Sequence, residues 1–200
     1  MLTGESGSGK SRLLRALADL DAPEVGRLTL EGCPVSDLAP AAYRARVAYL
    51  PANPQLGSGP AGALLERLAA FRQRAGDDPQ AWMERLGLPA DTAERPLEGL
   101  STGEALRLTL ALLLAGNPAV LLLDEPTAPL DPRRTAAVEH AVAERAAAGT
   151  AVLWVSHSPE QAARVGHCLY RVAAGQLEGP FTDAGAYAEL MPREETPHDA

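Results

Sequence analysis

Isoleucine is absent from this chain, lysine occurs once and cysteine twice. Cys33 and Cys168 stand far apart and in no metal-ligand spacing, which gives neither a disulfide framework nor a zinc cluster. They are expected as reduced thiols in the core of a cytosolic protein. Long hydrophobic runs are lacking too: a stretch such as Val120 to Leu123 is far short of the roughly 20 residues a membrane span needs. No basic-then-apolar leader opens the chain, so the expectation is a protein neither secreted nor embedded in a bilayer. Basic charge is in the minority, 18 Lys and Arg against 26 Asp and Glu for a net charge of −8. That balance argues against nucleic acid as a partner. What is present is ordinary globular composition, 46% hydrophobic and 22% charged, which excludes wholesale disorder. The 200 residues are expected to form a single domain. A chain of that size buries about 70% of its unfolded surface and needs no covalent staple.

The 18 basic residues are 17 arginines and one lysine. A chain that drifts toward arginine and alanine keeps lysine only where an ammonium is required, which singles out Lys10. It lies in Gly4-Glu5-Ser6-Gly7-Ser8-Gly9-Lys10-Ser11, a fit to G-x-x-x-x-G-K-[ST] at every fixed position. Glycines there permit the bends that aim successive backbone N–H groups at phosphate oxygens. The helix that follows adds its positive N-terminus. Lys10 would reach the β- and γ-phosphates and Ser11 would ligate Mg²⁺. Chance produces this pattern on the order of once in a thousand chains of this length.

Helix and strand signals alternate along the chain. A helix is expected from Lys10 to about Leu20, a short strand near Arg27 to Leu30, a small helix near Ala41 to Arg46 and a strand at Val47 to Leu50. The region 52–115 is helical in character, with Leu64, Leu65, Leu68 and Phe71 at helical spacing and a short helix opened by Pro79. Ser101 and Glu104 form an S-x-x-E capping box ahead of a helix running to about Ala115. Ala119 to Leu123 reads as a strand buried on both faces, and Pro132 opens a helix to about Ala148. Ala151 to Val155 is another buried strand, Pro159 starts a helix, and His167 to Val172 is expected as the last strand. This alternation predicts an α/β fold with ligands at the carboxyl ends of its parallel strands, where Asp124, Glu125 and His157 fall. Asp124 would hold Mg²⁺ through its water shell and Glu125 would polarise an attacking water as general base. His157 alone is more often a structural residue; only the company it keeps suggests contact with the γ-phosphate.

In order along the chain, these residues resemble the ATP-binding subunits of ABC transporters. After the phosphate loop, Leu100-Ser101-Thr102-Gly103-Glu104 resembles the signature LSGGQ/LSGGE. Leu121 to Thr127 resembles the Walker B segment, Leu130-Asp131 the end of the D-loop, and Val155-Ser156-His157 the switch histidine. The wording at Pro40 to Arg44 and at Val152 to His157 is similar to an iron-export branch. The resemblance implies a P-loop NTPase (RecA-like) parallel sheet at 1–51 and 116–180. It adds an inserted α-helical subdomain at 52–115 and a tail at 181–200, with the family's N-terminal antiparallel β subdomain missing. It implies a Mg-dependent ATPase. ATP would be bound by Gly4, Glu5, Ser6, Gly7, Ser8, Gly9, Lys10 and Ser11, and by Ser101, Thr102, Gly103 and Glu104 of a facing copy. Mg²⁺ would fall to Ser11 and Asp124, and catalysis to Glu125 and His157. Its partners would be a second ATP-binding domain, in a homo- or heterodimer, and a transmembrane permease. The chain would then sit at the cytoplasmic face of the membrane.

Four positions depart from the family. Only Met1-Leu2-Thr3 precedes the phosphate loop, where the family has a strand and, before it, an aromatic that stacks on adenine. The neighbours of that strand are therefore expected to lose backbone partners, and base stacking worth about 1–3 kcal/mol is expected to go with the aromatic. Ala52 stands where the family has the Q-loop glutamine, with Gln55 three residues on. Thr102 replaces a signature glycine, and a β-branched residue restricts the backbone. Ala128-Pro129-Leu130-Asp131 lacks the D-loop serine. These departures keep open a second reading, a nucleotide-binding module with little turnover. A third, a soluble ABC protein of DNA repair or translation, requires a longer or more basic chain.

Overall fold

The computed structural model describes residues 1–22, 26–71 and 77–182. Two compact units emerge: Ser11–Leu153, and Met1–Lys10 together with the chain from Trp154 onward.

The larger unit opens within α1 (Lys10–Leu17), all of which but Lys10 belongs to it and which stops short of the expected Leu20. Asp19 takes a left-handed conformation at φ 55 and ends the helix in the way a glycine often does. A two-residue antiparallel pair follows, β2 (Thr29–Leu30) and β3 (Cys33–Pro34). Next come α2 (Pro40–Arg44), whose Tyr43 hydroxyl donates to the Leu17 carbonyl at 2.5 Å, and β4 (Val47–Leu50). The helical stretch comprises α3 (Ala61–Phe71), α4 (Pro79–Arg85), two single 3-10 turns and α5 (Thr102–Ala115). Leu68 and Phe71 fall among residues whose side chains lie outside the described set. After α5 come β5 (Val120–Asp124), α6 (Pro132–Ala147) and β6 (Ala151–Val155). β4 and β5 are parallel in the register Val47↔Val120 to Leu50↔Leu123. The Ala151 N–H bonds the Ala119 carbonyl at the start of β6. Leu121, Leu122 and Leu123 are buried, as a strand covered on both faces requires. α5 packs against α4, α6 and β4, and its Leu106, Leu108, Leu110, Leu112 and Leu114 are all buried. Each such side chain contributes about 1.5–3 kcal/mol by leaving water.

In the smaller unit, β1 (Leu2–Thr3) lies between the end of β6 and β7 (Leu169–Ala173), parallel to both. The expectation that its neighbours lose backbone partners is corrected in part: the two residues pair with Val155 of β6 and with Tyr170 and Arg171 of β7, and with no other residue of those strands. The Tyr170 N–H bonds the Met1 carbonyl, the Ser156 N–H bonds the Leu2 carbonyl, and the Met1 ammonium donates to the Cys168 carbonyl at 2.7 Å. Burial lowers the pKa of that ammonium. α7 (Pro159–Val165) packs nearby, with Met1 and Phe181 against Ala162 and Leu169. β7 is not the last strand, as expected from sequence. It turns back through Ala174 (φ 49) and Gly175 (φ 76) into the antiparallel β8 (Gln176–Phe181). Two positive φ values make the tight primed turn that suits a hairpin, but Ala-Gly is a weaker signal for it than Asn-Gly. The cysteine expectation is also corrected. Both thiols are free, but Cys33 is exposed and Cys168 half-buried, so neither is a core residue.

Candidate functional site

The phosphate loop follows β1 without an intervening residue. Gly4, Gly7 and Gly9 have φ of 145, 80 and 103, backbone that side-chained residues rarely adopt. Gly4 is further required because a Cβ there would stand 2.3 Å from the Val172 carbonyl oxygen. Lys10, 6% exposed, closes the loop: its ammonium donates to the carbonyls of Gly4 at 2.8 Å and Glu5 at 2.7 Å. The loop is thus held curled before any ligand arrives. Glu5 and Ser6 are exposed and Ser8 half-buried, while Ser11 is exposed in the first turn of α1.

At the end of β5, Asp124 is 4% exposed, and its Oδ2 accepts a hydrogen bond from the Tyr49 hydroxyl at 3.3 Å. Burial and the Asp124 charge push the Tyr49 phenol up to about 12, so it stays a donor. Glu125 is half-buried with φ 49, a conformation that costs a non-glycine residue about 1 kcal/mol or more and collects at functional sites. Its carbonyl accepts from the Ala128 N–H at 3.2 Å and so starts the turn into the 128–131 segment. Asp131 caps α6 through the N–H groups of Arg133 and Arg134, each at 3.0 Å.

Ser101 caps α5, its Oγ accepting from the Glu104 N–H, while Glu104 Oε2 accepts from the Ser101 N–H at 2.9 Å. The capping box read from the sequence is therefore present. Glu104 also receives Arg95 Nη1 at 2.7 Å. The Arg95 bond first, then those from Ser101, hold its carboxyl down at about 2. Thr102 is the first residue of α5 and exposed, so its β-branch sits in ordinary helical backbone. A Cβ on Gly103 would meet Leu130 Cδ2 at 3.0 Å, which places the 128–131 segment directly on the signature helix. The Ala52 position follows β4 and is exposed, as is Gln55. In the smaller unit, His157 is half-buried between Ser156, whose Oγ donates to Gln161 Oε1 at 2.7 Å, and Ser158, which caps α7.

Sequence reasoning missed Arg107, 1% exposed, whose guanidinium donates to the carbonyls of Gly103 at 3.1 Å, Leu86 at 2.8 Å and Gly87 at 2.6 Å. An arginine inside an otherwise apolar helix was the available signal. Arg95 left no such signal.

The ABC transporter family model matches residues 1–128 of this chain. The chain belongs to the ABC transporter ATP-binding family. It is 37% identical over 199 residues to the thiamine import ATP-binding protein ThiQ of Cereibacter sphaeroides, covering 94% of this chain and 83% of ThiQ. It is 34% identical to Protein STAR1 of Oryza sativa over 87% of this chain, spanning about half of that protein (51%). It is 36% identical to the "Probable iron export ATP-binding protein FetA" of Escherichia coli, over 80% of this chain and 73% of that one. An importer and an exporter at like identity favour neither branch over the other. A solved ATP-binding subunit of an ABC transporter superposes with a TM-score of 0.83 at 21% identity, over 98% of this chain and 82% of that one. That likeness, with the strand and helix order above, makes the fold a P-loop NTPase fold, as expected.

Proposed function

We propose that this ATP-binding subunit hydrolyses Mg-ATP and that the resulting cycle of closure and release drives a membrane permease. The observation that carries the catalytic half is the Asp124-Glu125 pair. A buried carboxylate stands at a strand end, and directly after it a second carboxylate is held in left-handed backbone. The curled loop suits a triphosphate: its glycines permit the bends that turn backbone amides toward phosphate oxygens, and its one ammonium is held against it by the Gly4 and Glu5 carbonyls. One hydroxyl at Ser11 and one carboxylate at Asp124 suit Mg²⁺, which takes few protein ligands and the rest from phosphate and water. Bound there, the ion would neutralise charge on the β- and γ-oxygens.

In this reading Gly4 to Ser11 hold the phosphates, Glu125 accepts the proton of the attacking water, and His157 contacts the γ-phosphate. Ser101, Thr102 and Gly103 of a second ATP-binding domain meet the nucleotide from outside, with Glu104 fixing Ser101 in place. Residues 52–115 form the signature subdomain within a single 1–200 domain. No helix among the described residues is long and apolar enough to cross a membrane, so transport requires membrane-spanning helices beyond those described. The chain works at the cytoplasmic face. One observation favours the weaker alternative of a binding module: the Ala52 methyl group can neither ligate Mg²⁺ nor sense the γ-phosphate.

Steady-state phosphate release from Mg-ATP decides between them. Glu125→Gln is expected to lower the rate by about 100-fold or more while Mg-ATP binding persists. Wild-type chain that binds Mg-ATP, pairs, and releases no phosphate is the result that leaves only the module.

A further inference from the structure

Ser101 Oγ takes part in two hydrogen bonds at once. It accepts the Glu104 N–H at 3.3 Å and stands 2.7 Å from Glu104 Oε2. A carboxylate oxygen only accepts, so the hydroxyl is the donor in the second contact. The same Oε2 takes the Ser101 N–H at 2.9 Å. Both donors that Ser101 owns are thus turned onto one charged atom. The residue is exposed, but in this arrangement its hydroxyl has no hydrogen left to offer a phosphate.

A glutamate here therefore sets two obstacles to closure. A γ-phosphate approaching Ser101 arrives as an anion beside a carboxylate, and like charges brought together at a contact are costly. It must also compete with that carboxylate for the serine hydroxyl. Arg95 bears on both. Its Nη1 donates to Glu104 Oε1 at 2.7 Å, the carboxylate oxygen that Ser101 does not use, and its Nη2 lies 3.5 Å from Oε2 and 3.2 Å from the Gly99 carbonyl oxygen. The two side chains are 31% and 17% exposed, so water screens the pair only in part. Arg107, the guanidinium next along α5, is committed to the carbonyls of Gly103, Leu86 and Gly87. The backbone of Arg95 is itself anchored, its carbonyl accepting the Ala61 N–H at 3.0 Å where α3 begins.

We propose that Arg95 is the positioning residue that makes this acidic signature usable. By sharing the Glu104 charge it loosens that carboxylate's hold on the Ser101 hydroxyl, which then turns to the γ-phosphate held by a second copy of this chain. The proposal rests on the reading of Gly4 to Ser11 as a phosphate cradle covered by residues 101–104 of the facing copy. The step exchanges one hydrogen-bond acceptor for another, carboxylate for phosphate, and no proton changes owner.

A double-mutant cycle on Mg-ATP-driven pairing tests it, read by sedimentation velocity in the Glu125→Gln chain, with Mg-ATP affinity measured on the dilute, unpaired chain. Arg95→Ala is expected to raise the protein concentration at half-pairing on the order of tenfold, and to leave the affinity of the unpaired chain within about twofold. In a Glu104→Gln background, which has no charge to share, the same substitution is expected to shift pairing by less than about twofold. Arg95→Gln keeps donors but not the charge; it is expected to follow the alanine variant and carries the test if that variant fails to fold. Equal weakening in both backgrounds would make Arg95 a plain brace for the 95–101 segment, and unchanged pairing in the Glu104 background would leave it no part in closure; either overturns the proposal alone. A Glu125→Gln parent that holds Mg-ATP yet never pairs with itself overturns the closed pair and this proposal with it, and a parent that does not hold Mg-ATP overturns the cradle beneath both.

Discussion

Glu104 shows how a single residue is tuned by partners that a sequence does not reveal. Its carboxyl is held at about 2 by the Arg95 guanidinium first and by the Ser101 hydroxyl and N–H second, against an ordinary 4.5. A carboxylate whose folded pKa is depressed adds stability that is complete above its unfolded pKa. That stability drains as pH falls through about 4.5 toward 2. Arg95→Ala is therefore expected to raise the Glu104 titration toward the ordinary range, followed by carboxyl NMR. The capping bonds from Ser101 should keep it from recovering the whole way. A Glu104 midpoint unmoved in Arg95→Ala would mean the cap alone sets the shift. The same scale separates what was readable in advance. The glycines and Lys10 of the phosphate loop act on their own backbone within eight positions, so their spacing carries the message. Arg95 and Glu104 act on each other through a fold, and only the capping half of Glu104's role could be read from its neighbours.

Between elements, Arg107 joins the start of α5 to the end of α4. Its three acceptors include the Leu86 and Gly87 carbonyls, which a helix C-terminus leaves without internal partners. Replacing it with methionine keeps much of the volume but strips the donors from buried acceptors. A loss of about 3 kcal/mol is expected in urea unfolding. A loss under about 0.5 kcal/mol would show that water takes over those carbonyls. β4, α5 and β6 were legible because their apolar patterns and caps are local. The β7–β8 hairpin was not, because an alanine supplies one of its two positive-φ positions. The two-residue β1 was not either, since its stability comes from strands far along the chain on both sides. The packing of Leu130 on Gly103 joins two motifs that the sequence shows only as separate words.

For the molecule as a whole, the charge of −8 bears on the proposed pairing. Two identical copies closing on Mg-ATP bring like net charges together, and salt screens that repulsion. The Debye length shrinks from about 30 Å at 0.01 M to about 8 Å at 0.15 M. A homodimer should therefore tighten as salt rises over that range, whereas a heterodimer with a basic partner should loosen. Glu125→Gln, which is expected to bind Mg-ATP without turning it over, holds the closed state long enough to weigh. Light scattering should show its mass double with Mg-ATP and stay monomeric with ADP, with the midpoint protein concentration falling several-fold as salt increases. A doubling that weakens with salt would locate complementary charge at the contact and override the net-charge argument. No doubling at any salt, in a variant shown to hold Mg-ATP, would mean that this copy closes only on a different partner. That outcome follows naturally if Ala52 marks the less active half of an unequal pair.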